Sequence, residues 1–221
     1  MLKEIFELFK SDSLNKQALD ECYEMLDIVK EMFNESINTL RKSDTADIPI
    51  DIYAMDKKIN EFERDVRRKV MTHLAVGGKE DLATGLVLVS VVIDIERMGD
   101  YTKNIYDLAV QHPKKLVAGN YEKELSEIED ATVNFLNETI DAFKNQDIEK
   151  SRELMENYKT DISSTSSNIV NGIVSNKNNE FSPDVAGALC LYARYLKRMA
   201  AHSRNLISSI VNPFERIGYP E

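Results

Sequence analysis

Glu96-Arg97-Met98-Gly99-Asp100-Tyr101-Thr102-Lys103-Asn104-Ile105 returns 101 residues later as Lys197-Arg198-Met199-Ala200-Ala201-His202-Ser203-Arg204-Asn205-Leu206. Arg, Met, a basic residue, Asn and an aliphatic residue come back in register, while the two carboxylates return as Lys and Ala. A second echo lies upstream. Glu31-Met32-Phe33-Asn34-Glu35-Ser36-Ile37-Asn38 is matched 103 residues on by Asn134-Phe135-Leu136-Asn137-Glu138-Thr139-Ile140-Asp141. The two-residue drift is what a slightly shorter loop in one copy produces. Solenoids and propellers repeat at about 20 to 50 residues, so a period near a hundred means that a whole small domain has been duplicated.

Breakers and apolar periodicity divide the chain into six helices. The first spans 14–41, with Leu19, Cys22, Tyr23, Leu26, Val29, Phe33, Ile37 and Leu40 three or four residues apart. The second spans 50–76 and stops at Gly77-Gly78, and the third runs from about 80 to just before Pro113. The second copy repeats the plan. One helix covers 121–144, the connection Asn145-Gln146-Asp147 follows, another helix covers 148–175, and Ser182-Pro183 opens the last as N-cap and first-turn proline. Short connections between long helices imply antiparallel neighbours. The expected fold is all-α: six helices in two tandem, pseudo-repeated three-helix bundles, 1–113 and 114–221, the second degenerate. The third helix is apolar on nearly every side over 86–93; we read that half as core, with a dimer or bundle-to-bundle contact as the alternative.

Composition narrows the function. A net charge of −10 over 221 residues argues against nucleic acid or an anionic membrane as the main partner, since both need a positive footprint. Cys22 and Cys190 do not fall at matching places of the two copies, so a disulfide framework is not expected and a reducing cytoplasm is. The start of the chain lacks the pattern of a signal peptide; residues 1–10 interleave Ile5, Phe6, Leu8 and Phe9 with charges and are expected to lie on the body or a partner. The apolar run 86–93 is far short of the roughly 20 residues a bilayer span needs.

Residues four apart on a helix share a face, so Glu96 and Asp100 point the same way, with Lys103 placed to pair with Asp100. On the second helix Asp56, Asn60 and Glu63 share another face. Facing each other, Glu96, Asp100, Asp56 and Asn60 would form an oxygen-only ligand set for a divalent or iron-type metal ion. A solvated salt-bridge face is the other reading of the same spacing. The matching positions of the second copy are Lys159, Ser163, Lys197 and Ala201, so the acids of both helices are lost together there. Catalysis finds little support. None of His73, His112 and His202 follows a Glu by three residues, and no phosphate loop or nucleophile constellation is present. His202 reads as a partly buried helix residue, and the tail around Phe214 and Tyr219 as a cap or a chance likeness to the first motif.

The stretch Ile95-Glu96-Arg97-Met98-Gly99-Asp100-Tyr101 with Asn104-Ile105 resembles the Glu-Arg-Ile-Gly-Asp signature of the PhoU family, supported by Asp56, Ile59 and Glu63 and by the duplicated three-helix plan. The resemblance implies a cytoplasmic, often dimeric regulator of phosphate uptake. Such a protein acts at the membrane through its partners, a phosphate transporter and/or a sensor histidine kinase, and is not an enzyme. It also implies metal clusters on Glu/Asp-x-x-x-Asp pairs, one in each bundle. Asn60 departs from the expected Asp, and Lys159, Ser163, Lys197 and Ala201 remove the second pair, so at most one metal site is expected, in the first bundle. The rival function is a metal-dependent carboxylate-site helical-bundle enzyme built around Glu96.

Overall fold

The computed structural model describes residues 13–77, 81–112, 114–157, 162–175 and 181–220. The amphipathic stretch 1–10, Gly78, Pro113, Lys159 and residues 176–180 lie outside the described residues. Seven α-helices are described where the periodicity predicts six: α1 (Leu14–Lys42), α2 (Ile52–Gly77), α3 (Leu82–Gln111), α4 (Glu122–Asn145), α5 (Ile148–Asn157), α6 (Ser164–Val174) and α7 (Pro183–Val211). No strand occurs among the described residues. The difference lies in the predicted helix 148–175, which is described as two helices. Residues 158–161 between them lie outside the described residues; Ile162 and Ser163 form a π-helical turn leading into α6, whose start carries a run of hydroxyl residues, 163–167, able to bond back to the backbone. Ser167 Oγ, for one, donates to the Ser163 carbonyl at 2.8 Å.

The other boundaries fall where local chemistry puts them. Ser13 caps α1, its hydroxyl accepting from the Lys16 N–H at 3.2 Å, and Arg41 and Lys42 stand in the last turn, where the helix dipole favours cations. α4 ends on Gln146 in the left-handed region, φ 52°, with the Asp147 N–H returning to the Ala142 carbonyl at 2.9 Å. Asp147 then caps α5 by accepting from the Lys150 N–H at 3.0 Å, so three residues reverse the chain. The tail after α7 is a cap in fact: Asn212 Nδ2 donates to the carbonyls of Arg216 and Tyr219, and the Gly218 N–H donates to Ser208 Oγ at 2.7 Å.

Helices α1, α2 and α3 pack on one another as the first bundle, while α4, α5 and α6 surround α7 as the second. One apolar cluster runs through both, from Ala18, Cys22 and Phe33 on α1 through Leu88, Val91, Ile95 and Met98 on α3 to Tyr192, Leu196 and Met199 on α7. Each large apolar side chain removed from water contributes about 1.5–3 kcal/mol. The Met98 and Met199 positions, equivalent in the repeat, show how the halves meet. Ser203 Oγ donates to Met98 Sδ at 3.3 Å and Thr102 Oγ1 reaches Met199 Sδ at 3.9 Å; Thr102 and Ser203 are themselves equivalent. Tyr101 stacks on its own equivalent, His202, with ring centroids 5.7 Å apart. The antiparallel α3/α7 crossing thus has local two-fold pseudosymmetry, the internal counterpart of a symmetric dimer contact. Of the residues that survive in both copies, Met98 and Met199 meet in this crossing, joined by Arg198 and Asn205 of the second copy, whereas Arg97 turns to the acids of its own helix.

Two largely buried polar clusters tie the bundles together. At one end the Arg41 guanidinium, at the close of α1, bonds Glu129 at 2.6 Å as well as Glu122 and the Leu116 carbonyl, and Glu129 also accepts from the Tyr192 hydroxyl at 2.6 Å. In mid-crossing His202 Nδ1 lies 2.7 Å from Asp94, which also accepts from Asn205 Nδ2 at 3.0 Å, while Arg198 Nε donates to the Tyr101 hydroxyl at 3.1 Å. His202 is nearly buried, as its reading as a helix residue expects.

The outer side of α3 corrects the reading of 86–93 as core. Val87, Leu88, Val91 and Val92 are buried, but Leu82, Leu86 and Ile93 are 48, 38 and 37% exposed. With Val89 they stand four, three and four residues apart, an apolar stripe along one helix face that continues into Glu96 and Asp100.

Candidate functional site

The four predicted site residues do come together, and a glycine is the reason. Gly99 faces α2 so closely that a Cβ there would sit 2.9 Å from Ile59 Cδ1, and near the start of α3 Gly85 makes a similar close approach to Leu74 and Val70. With the two backbones drawn together, the residues flanking Gly99 (Glu96, Asp100 and Lys103) meet those flanking Ile59 (Asp56, Asn60 and Glu63). The tertiary fold thus builds one face from two motifs that lie about forty residues apart in the chain.

What bridges the acids is a side chain of the protein. Lys103 Nζ lies 2.8 Å from Asp56 Oδ2 and 3.4 Å from Asp100 Oδ1. Arg97 takes the other Asp100 oxygen at 2.8 Å and reaches Glu96 at 3.5 Å. Asn60 turns its amide nitrogen to the Asp56 carbonyl at 2.9 Å and to its carboxylate at 3.4 Å, and Glu63 is held by Arg67 at 2.7 Å. Burial works against the Lys103 charge, yet its hydrogen bonds and attraction to Asp56 and Asp100 hold the ammonium above its usual range. Glu96 stands apart. Burial first, then the neighbouring charge of Asp100, raises its carboxyl above the usual carboxylate range, and Arg97 only partly offsets this.

As arranged, these groups do not fit a metal ion. Both Asp100 oxygens are engaged by cationic side chains, the Asp56 carboxylate accepts from Lys103 and Asn60, and Asn60 presents a donor to it in place of a ligand oxygen. Among the described residues no three His, Cys, Asp or Glu side chains form a group able to hold a metal. At the matching place of the second bundle Lys197 Nζ donates to Ser167 Oγ at 2.9 Å. Sequence reading missed Asp94, Arg41 and Glu129, whose partners lie 63 to 111 residues away. The repeat carried one usable signal, because equivalent positions such as Tyr101 and His202 must meet if the two halves are related by a two-fold axis.

A family model described as the PhoU domain matches residues 22–109, from the first turns of α1 to the last turn of α3. The chain carries a PhoU domain. That domain contains all four predicted site residues and the exposed stripe of α3. The whole fold is similar to the crystal structure of PhoU from Pseudomonas aeruginosa, at a TM-score of 0.78 and 20% identity over 88% of this chain and 94% of that one. It is also similar to the phosphate transport system regulatory protein PhoU from Streptococcus pneumoniae, at 0.75 and 18%, over 89% and 92% of the two chains. No curated protein matches the chain. At these identities the likeness is one of fold, and its coverage takes in the second bundle beyond the PhoU domain match. Among the described residues no helix is long and apolar enough to cross a membrane.

Proposed function

We propose that this chain is a non-enzymatic regulator of phosphate transport or of the phosphate-starvation response, working in the cytoplasm by binding a phosphate transporter or a sensor histidine kinase. The observation that carries the reading is the PhoU domain match over residues 22–109, supported by a fold shared over 88 and 89% of the chain with two PhoU proteins, one of them named as a phosphate transport system regulatory protein. The self-paired charges of the α2/α3 face point the same way: its acids hold cations of the chain itself, an arrangement suited to structure more than to activating a nucleophile.

The stripe Leu82, Leu86, Val89 and Ile93 is the surface for that binding. Its spacing matches an amphipathic helix laid along α3, and at its upper end Glu96 is a carboxylate weakly compensated by neighbours. The occupant is therefore a helix of the transporter or kinase with an apolar ladder and a basic residue that meets Glu96. Deleting the gene and measuring phosphate uptake and phosphatase expression in phosphate-rich medium tests the function; unchanged values for both would overturn it. The expected homodimer is separable: if the stripe joined two copies instead, Leu86→Asp would turn a dimer into a monomer in solution.

A further inference from the structure

The metal implied by the fold family and the side chains of this chain disagree, and the disagreement has a consistent form. In the first bundle an ammonium stands between the acids of α2 and α3, 2.8 Å from Asp56 and 3.4 Å from Asp100. A cation bound by carboxylates from both helices would have to occupy the same ground. In the second bundle Lys197 replaces the acid equivalent to Glu96, and its ammonium is anchored to Ser167 at 2.9 Å. Each bundle thus supplies a positive charge of its own at the place where the duplicated motif would gather ligands.

We propose that Lys103 is the resident cation of the PhoU domain, tying α2 to α3 through Asp56 and Asp100, and that the chain is metal-independent because Lys103 in the first bundle and Lys197, at the position of Glu96 in the second, each bring a cation to the face where ligands would gather. The local charges agree with this. Asp56, Glu63, Glu96 and Asp100 are faced by Lys103, Arg67 and Arg97, so the face is one charge short of neutral without any ion. A divalent ion would have to displace an ammonium from a half-buried pair and rotate the Asn60 amide. Neither step is compensated by a vacant carboxylate, because Glu96 alone is weakly paired. This inference concerns the chain's own charges and does not depend on which protein the α3 stripe binds.

The test is equilibrium Mn²⁺ binding to the purified full chain stripped with chelator, compared with Lys103→Ala and Lys103→Met, the second keeping the stem's packing if the first fails to fold. The expected result is no saturable Mn²⁺ uptake by the wild type and no change in its melting temperature with Mn²⁺. Either lysine variant should bind Mn²⁺ about tenfold or more tightly than the wild type, with a melting temperature that rises with Mn²⁺. Adding Asp100→Asn to the variant should abolish that uptake, locating it at this face. Wild-type binding as tight as that of the variants would overturn the proposal. So would variants that fold and still take up no Mn²⁺, since removal of a resident cation must open its place.

Discussion

Replacing Arg41 by Ala should destabilise the chain more than removing any of its solvent-exposed charges. The Arg41 side chain is only 8% exposed and Glu129 13%, so the ion pair between them is effectively buried. Burial works against the Arg41 charge, and Glu129 and Glu122 outweigh it, holding the guanidinium above its usual range. Removing one partner of a buried pair costs about 3–5 kcal/mol because the other is left uncompensated. Here the lower end applies: Glu129 keeps the Tyr192 hydroxyl, and Glu122 is more exposed and keeps the Ala118 N–H. A loss of about 3 kcal/mol in a chain of this size lowers the melting temperature by about 6–12 °C. Circular dichroism melts and urea titrations of Arg41→Ala, Glu129→Ala and the double variant measure both the loss and the coupling. Arg41 also bonds the Leu116 carbonyl in the inter-bundle connection, so its loss should loosen α1 from α4 as well. A melting temperature of Arg41→Ala within about 1 °C of the wild type, or additive effects of the two single changes, would refute a buried, coupled pair.

Other expectations follow from the same geometry. Asp94→Ala leaves His202 Nδ1 and Asn205 Nδ2 without their shared acceptor inside the α3/α7 crossing, and should cost about 1–3 kcal/mol in urea unfolding. Gly99→Val forces branched bulk against Ile59, where even a Cβ would be at 2.9 Å, and should cost about 1–3 kcal/mol in the same assay while separating Asp56 from Lys103. Glu96 supplies a pH test with a definite sign. Its folded-state carboxyl is raised above 4.5, so the fold favours the neutral form, and the cost of ionising it is present at neutral pH and disappears as pH falls through the raised value toward 4.5. Glu96→Gln should therefore be the more stable protein in thermal melts at about pH 7, with the advantage gone by about pH 4.5. A less stable Gln variant at neutral pH would mean that the Arg97 pairing dominates.

Particular residues show what the sequence made legible. Helix ends could be placed within about two residues wherever a local signal existed: Ser182 and Pro183 at the start of α7, Asn145 to Asp147 between α4 and α5, and the alternation of core positions along α1. The predicted helix 148–175 is described as Ile148–Asn157 and Ser164–Val174, and residues 158–161 between them lie outside the described residues. The apolar abundance of 86–93 identified a helix but not its solvent side, because every face was apolar; only the packing of α1, α2 and α7 distinguishes Leu88 from Leu86. At the candidate site the spacing of Glu96 and Asp100 defined the face, and Lys103 was visible as a partner for Asp100. Its longer reach to Asp56 depends on the close approach at Gly99 and Ile59, a property of two helices and not of one. Arg41 with Glu129 and Asp94 with His202 were beyond reach for the same reason.

The most direct measurement is phosphatase activity, in phosphate-rich medium, of a strain deleted for this gene and complemented with either the wild-type chain or the Leu86→Asp/Ile93→Asp variant, its fold first verified by circular dichroism. Deletion should raise the activity, the wild type should restore repression, and the variant should not, because a charged stripe on α3 cannot seat the partner helix. Unchanged activity on deletion would contradict the regulatory role, and full repression by the folded variant would contradict the surface assigned to it.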